Sequence, residues 1–273
     1  MQKHLGLYDK TPILNHGFIQ LVDVMGDDEA ICIAARQSTT GDSKGAEQDR
    51  QLIRYMLKNH HTSPFEQVEF KFLCKMPIFV ARQWVRHRMA SLNEFSGRYS
   101  KMPKEFYVPS DERLVFQDKK NKQGSAELQV CGEDRAEIHT MMRRQHDEAY
   151  GNYEHYLRMG LVREVARVNL PLSTYTQWMW KSDLHNLFHF LKLRLHPHAQ
   201  WELRQYANRI WEIVQEVVPM AAEAFNDYVL EAETFSRMEM AVLRRMLDIV
   251  DLGDTSLTPT ELADFSKKLR FNS

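Results

Sequence analysis

The sequence predicts an α+β fold: a single domain with a central, mostly antiparallel sheet packed by long helices, plus an acidic helical C-terminal extension. Three observations lead there. Residues 67–76 alternate Val68, Phe70, Phe72 and Cys74 with Gln67, Glu69 and Lys71, the period of a half-buried strand. Most of the second half instead carries apolar residues at three- and four-residue spacing, as amphipathic helices do. Between 219 and 265, ten acids face three arginines, a net of −7. We therefore divide the chain into a domain at 1–228 and an acidic extension at 229–273.

Taken in order, residues 17–26 alternate loosely before Gly26 and read as a strand. Residues 30–36 and 47–58 read as helices, the second with Leu52, Ile53, Met56 and Leu57 on one face. Ser63-Pro64-Phe65-Glu66 has the form of a capping box opening a tight helical turn. After the strand at 67–76, Pro77 is expected to start a helix through Arg88, with Phe79, Val80, Trp84 and Val85 as its apolar face. Residues 118–124, polar throughout, read as a surface loop. A long charged helix is expected over 125–159, broken or ended near Gly151 and Gly160, then a shorter one over 161–168. Residues 174–180 alternate as a strand, and 184–195 and 198–225 return to helical spacing.

At 273 residues, with 43% hydrophobic and 27% charged, the chain has the balance of a globular protein. It lacks a transmembrane-length apolar run and an apolar leader, so a cytoplasmic protein is expected, with no membrane partner. Cys32, Cys74 and Cys131 are too scattered for a disulfide framework or a metal knuckle. Eleven glycines include no G-x-G pair, which removes the dinucleotide fingerprint and the P-loop. No zinc-protease or nucleophile-elbow motif occurs. The pairs His185/His189 and His196/His198 have no cysteine or carboxylate to complete a metal site, so no metal is assigned.

The formal charge of −1 argues against a protein built around long polyanions, but it averages opposed segments. From 82 to 104 six basic residues, Arg82, Arg86, Arg88, Arg98, Lys101 and Lys104, meet the single acid Glu94, a net of +5. Within a helix Arg86 and Arg88 point about 200° apart, so they are expected to address different groups or different subunits. The Ser-, Asn- and Gly-rich run that follows can offer backbone N–H donors to a phosphate, with Arg98 as a bidentate clamp. Two other readings stand beside this anion-binding loop: a solvated basic helix end, and a non-enzymatic nucleic-acid-binding segment using 82–104 with its interleaved aromatics.

Arg86-His87-Arg88, seven residues and then Ser96 match the signature of the flavin-dependent thymidylate synthases. The surrounding stretch 77–100 is similar to that family throughout, as are HTSPFE at 61–66, REVARVNLP at 163–171 and LRLHPHAQWE at 193–202. The resemblance covers roughly residues 15–228 and leaves the acidic extension unexplained.

The resemblance implies reductive methylation of dUMP to dTMP, with 5,10-methylenetetrahydrofolate as carbon donor and NADPH as reductant through bound FAD. It also implies a homotetramer with its active sites between subunits. By position, FAD falls to Ser63, Glu66, Arg86, His87, Arg88, Asn93, Glu94, His185 and His189, with His198 close enough in sequence to join them. Asp183 stands where many members carry asparagine; it belongs to the same set, although an acid suits flavin phosphates poorly. dUMP falls to Gln83, Arg86, Glu94, Phe95, Ser96, Gly97, Arg98, Arg167 and Arg194, with Arg98 and Arg167 on the phosphate and Arg167 expected from a neighbouring chain. Arg194 is the expected catalytic residue, a fixed cation against charge developing on the uracil ring. Ser96 would bind substrate rather than attack it.

Overall fold

The computed structural model describes residues 6–37, 45–117, 125–246 and 258–269. The loop expected at 118–124 lies outside them. The chain divides into two units, Met1–Leu230 and Glu231–Ser273.

The first unit is α+β. Its elements are β1 (Thr11–Ile13), β2 (Gly17–Met25), α1 (Asp28–Arg36), α2 (Ala46–Lys58), β3 (Glu69–Pro77), α3 (Ile78–Trp84), β4 (Ser91–Glu94), β5 (Val115–Gln117), β6 (Ser125–Gln129), α4 (Gly132–Arg158), α5 (Arg163–Ala166), β7 (Tyr175–Asp183), α6 (Leu184–Arg194), α7 (Trp201–Val217) and α8 (Pro219–Phe225). The main sheet runs β1-β2-β3-β7-β4 with every pairing antiparallel, and β5 with β6 forms a separate ribbon.

The strands at β2, β3 and β7 follow the expected alternation. In β3, Phe70, Phe72, Cys74 and Met76 are buried on one face and Glu69, Lys71, Leu73 and Lys75 are half-exposed on the other. β7 pairs with β3 across nine residues, setting Phe72 opposite Trp180 and Cys74 opposite Trp178, so the buried faces of the two strands coincide. Against this face lies a core of helices in which the Trp84 indole contacts Trp178, Trp180, Phe190 and Tyr206 at ring separations of 5.1 to 5.7 Å.

Five expectations are corrected. The helix after Pro77 ends at Trp84, where the Val85 N–H bonds to Ala81 O and the His87 N–H to Trp84 O, so Arg86, His87 and Arg88 lie beyond the helix rather than in its last turn. Ser91–Glu94, read as loop, is an edge strand on β7; four polar-rich residues give too short a pattern for a strand signal. Residues 125–129 pair with β5 instead of opening the long helix, which starts at Gly132, passes Gly151 unbroken and stops before Gly160 at φ +85°, a conformation glycine adopts without Cβ strain. The capping box does not form: a single 3-10 turn spans Phe65–Gln67 with no side-chain cap, and Glu66 accepts from the Thr62 hydroxyl at 3.3 Å.

The helical reach expected over 198–225 is split at Pro219, which keeps Val218 out of the helical conformation (φ −131°, ψ 66°). The Met220 and Ala221 N–H groups freed at the start of α8 donate to the buried Asp28 carboxylate at 2.7 and 2.9 Å, so α1 caps α8 from another part of the chain.

The second unit contains α9 (Arg237–Met246) and α10 (Pro259–Leu269). Each opens on a reciprocal capping box, Ser236 with Glu239 and Thr258 with Glu261, in agreement with the helical extension expected.

Truncating the central indole tests this core. Trp84→Ala is expected to lower stability by about 3–5 kcal/mol, read as a fall in denaturant midpoint at unchanged slope. A loss under about 1 kcal/mol would contradict the packing described.

Candidate functional site

The site forms where α3 ends, where α6 ends and along the edge strand β4. Trp84 is fixed in the core, so the chain leaving α3 presents Arg86 and Arg88 exposed and His87 half-buried. Arg194, the last residue of α6, reaches across to this turn, and its Nε–H donates to His87 Nε2 at 3.0 Å. An imidazole that accepts at Nε2 carries its proton on Nδ1. The ring is further held by edge contacts to Phe190 at 4.9 Å and His189 at 5.9 Å. Burial first, then the Arg194 and His189 charges, push His87 down to about 4. Burial likewise holds Arg194 below its ordinary value.

Arg86, His87, Arg88, Ser182, Asn186 and His189 surround a cavity of about 490 Å³ floored by Trp180 and Met89. Its lining is rich in donors and contains no carboxylate. A second cavity of about 240 Å³ shares His189 and adds His60, His61, Thr62, His185 and Lys192 over Phe65 and Phe188. Cationic and amide donors above aromatic surface suit a phosphorylated ligand carrying a flat ring. Among the described residues no cluster of three or more His, Cys, Asp or Glu could hold a metal ion.

β4 leads to a third group. The Phe95 N–H donates to Gln177 O at 2.8 Å, and Glu94 Oε1 accepts from the buried Thr176 hydroxyl at 2.6 Å. The chain then turns tightly: the Tyr99 and Ser100 N–H groups both bond to Ser96 O, and the Arg98 N–H donates to Ser96 Oγ at 3.3 Å. Gly97 is buried here beneath two long side chains; a Cβ would lie 2.6 Å from Met102 Sδ and 2.9 Å from Arg167 Nη1, so any larger residue must displace them. Within one chain Arg167 packs against Gly97. Tyr153 Oη accepts from the Met102 N–H and Tyr150 Oη donates to Met102 O, fastening this turn to α4. Arg98 Nε pairs with Glu164 at 2.8 Å.

The structure therefore gathers Arg86, His87, Arg88, His189 and Arg194 at one place, and Glu94, Phe95, Ser96, Gly97, Arg98 and Arg167 at another. Gln83 is exposed on the last turn of α3 and Asn93 is exposed on β4. Ser63 precedes the 3-10 turn and Glu66 lies within it, next in sequence to His61 and Thr62. Asp183 is engaged otherwise: it caps α6, Oδ1 accepting from the Asn186 N–H and Oδ2 from the Asn186 amide. His198 lies beyond α6, its ring 4.9 Å from that of His196. Sequence reasoning missed Ser182, Asn186, His60 and Lys192; none of the four lies in a motif, and only the fold brings them to the cavities lined by the histidines of α6.

The family model described as thymidylate synthase complementing protein matches residues 20–220, a span holding every residue of the site from Ser63 to Arg194. A flavin-dependent thymidylate synthase of Thermus thermophilus is 53% identical over 236 residues, covering 86% of this chain and 85% of its own. The chain belongs to the flavin-dependent thymidylate synthases. Another member, from Ruegeria pomeroyi, is 47% identical over 97% of this chain and 89% of its own length, and that alignment extends beyond the first unit. Among solved structures, a UMP/dUMP methylase of Streptomyces cacaoi bound with 5-Br UMP superposes with a TM-score of 0.73 at 31% identity, over 81% of this chain and 98% of that one. Family membership agrees with the Arg-His-Arg signature and with the α+β fold expected from it.

The electrostatics are open to a direct test. In FAD-free protein the His87 imidazole is expected to titrate near pH 4, and Arg194→Ala to raise that value by removing a neighbouring cation. Because the folded-state value is depressed, protons bind the unfolded chain more readily below the ordinary 6.5. His87 therefore withdraws stability as pH falls from there toward 4 and has no such effect above it. Histidine NMR titration reads this, and a value near 6.5 for His87 would contradict the environment described.

Proposed function

We propose that this chain methylates dUMP to dTMP reductively, using bound FAD, 5,10-methylenetetrahydrofolate as carbon donor and NADPH as reductant. The observation that carries the reading is the acid-free, donor-lined cavity at Arg86-His87-Arg88, joined by the Arg194–His87 hydrogen bond to the far end of α6, in a member of this family. The residues present fit FAD: the exposed guanidinium groups of Arg86 and Arg88, with Asn186 and His189, can donate to the oxygens of a pyrophosphate, and Trp180 and Phe188 supply aromatic lining beside them. When bound, FAD carries reducing equivalents from NADPH toward the nucleotide.

The remaining chemistry belongs to the side chains. Arg98 and Arg167 flank the buried Gly97 turn and hold the nucleotide phosphate, which displaces Glu164 from Arg98; exposed ion pairs of this kind contribute only about 0–1 kcal/mol. Ser96 Oγ accepts from a backbone N–H, the geometry of a turn hydroxyl, and it binds substrate through its remaining O–H. Gln83, Glu94 and Phe95 line the base and sugar, Glu94 being held by Thr176. Arg194 meets the uracil ring, where its charge stabilises the negative charge that develops as the ring is attacked. Ser63, Glu66 and Asn93 complete the cofactor's surroundings with His185, and Asp183 serves through the cap that orients Asn186.

Folate and NADPH enter as the third and fourth anionic ligands, after FAD and dUMP. The unit of active assembly is a homotetramer with active sites between subunits; the reading is supported by Met159, Val162, Val165, Val168 and Leu172, large apolar side chains exposed on either side of Arg167. Residues 1–228 form the catalytic domain and 229–273 an accessory extension. Among the described residues no helix is long and apolar enough to cross a membrane; the cytoplasm, where nucleotide and pyridine cofactors are at hand, is the proposed location. The competing reading as a nucleic-acid-binding protein has no observation in its favour. Three of the six cations in 82–104 are already paired, Arg98 with Glu164, Lys101 with Glu154 and Lys104 with Asp147.

Purified protein is expected to be yellow, to lose its flavin absorbance with NADPH, and to form dTMP when dUMP and methylenetetrahydrofolate are added. A colourless preparation that takes up no added FAD would overturn the proposal. Arg194→Ala should retain flavin and lose methylation by about 10²–10³-fold; near wild-type turnover would show that Arg194 is not the catalytic cation. In Gly97→Ala the new methyl must push Arg167 and Met102 aside, so dUMP affinity should fall while the flavin spectrum is kept. Unchanged dUMP binding would detach Arg167 from the nucleotide.

A further inference from the structure

We infer that His87 is a positioning residue for Arg194: its Nε2 accepts the Arg194 Nε–H and sets the plane of the guanidinium, while the ring, which lines the cofactor cavity, keeps its Nδ1–H for a ligand there, so one imidazole links cofactor and nucleotide. The inference rests on the dUMP-methylating reading above.

The geometry supplies the argument. Arg194 is the last residue of an eleven-residue helix, and a side chain with so many rotatable bonds has no preferred direction of its own there. Its hydrogen bond to His87 at 3.0 Å takes Nε–H alone and leaves both terminal NH₂ groups of the fork to a ligand. The choice of a neutral acceptor matters. A carboxylate at that point would orient the guanidinium equally well but would also cancel the positive charge that the reaction needs. Among the described residues no carboxylate pairs with Arg194.

His87 is itself anchored. Its backbone N–H bonds to Trp84 O at 3.0 Å, and its ring meets Phe190 and His189 edge-on. The aromatic core therefore dictates the imidazole, and the imidazole dictates the arginine. Burial and the adjacent Arg194 keep the ring neutral and able to accept at physiological pH. With Nε2 occupied, Nδ1–H is the free donor, in a cavity whose lining has no carboxylate to take it. A cofactor oxygen or ring nitrogen accepting there would tighten the hold on the imidazole, and through it on Arg194.

A double-mutant cycle on FAD-saturated protein tests this, reading dUMP Kd by calorimetry and kcat for dTMP formation. His87→Phe keeps the ring contacts and loses the acceptor. It should lower kcat by roughly 10–100-fold, with a smaller rise in dUMP Kd. His87→Gln, whose side-chain carbonyl can accept the Arg194 Nε–H, should recover most of both. In an Arg194→Ala background, His87→Phe should cost no more than about twofold, because the two residues act as one unit. If His87→Phe costs the same factor with and without Arg194, or if His87→Gln is as impaired as His87→Phe, His87 does not act through Arg194 and the inference is overturned. If wild-type protein binds no dUMP, the underlying reading fails and takes the inference with it; an additive cycle in protein that does bind dUMP overturns the inference alone.

Discussion

The packing of the Trp84 indole is the constraint from which the site follows. The ring is completely buried among Trp178 and Trp180 of β7, Phe190 of α6 and Tyr206 of α7, and its Nε1 has no hydrogen-bond acceptor among the described residues. Shape complementarity alone holds it there, at the expense of an unsatisfied donor. The result is that α3 must stop at this point of the sheet, and the next residues have to cross from the helix end to the sheet edge, where Ser91 pairs with Lys181. Arg86, His87 and Arg88 are the residues of that crossing. They meet the end of α6 because Phe190, on the same helix as Arg194, packs on the same indole.

The charge distribution is arranged around this crossing. Cations that face the cavity, Arg86 and Arg88, lie among neutral donors, whereas Arg98, Lys101 and Lys104 farther along are each matched by an acid from α4 or α5. The first arrangement keeps a local positive potential for phosphate groups. The second orders the 98–104 segment along two helices with weak, exchangeable pairs, which a ligand phosphate can replace at little cost. A chain of net charge −1 can in this way hold several anionic ligands without a basic surface overall.

Legibility along the chain follows the length and periodicity of each element. β3 and β7 are nine residues each with one face buried, and their alternation was plain from the residues. β4 has four residues, all exposed in the chain, and pairs on one side only, so no apolar alternation marks it. The β6 segment was absorbed into the helix that follows because Ala126, Leu128 and Val130 fit either period over so short a run. The end of α3 is not marked in the sequence because Val85 continues the helical apolar spacing; beyond Trp84 the chain leaves the helix to reach the sheet edge at Ser91, a pairing with a strand distant in sequence. The Ser63–Glu66 pattern was present without its capping geometry, since the turn there is a single 3-10 turn rather than the start of a helix.

For the site, residue chemistry was readable and adjacency was not. The Arg-His-Arg triplet with Ser96 pointed to the family, and the clustered cations and small polar residues around it pointed to anionic ligands, because those residues lie close together in the chain. Tertiary structure alone decided that Arg194 meets His87 across 107 positions, that Arg167 covers Gly97 within the same chain, and that Asp183 spends both carboxylate oxygens on capping α6. A hydrogen bond between distant residues leaves no period in the sequence. It arises only when sheet register and helix packing bring the two ends together, and here those are set by the aromatic core beneath them.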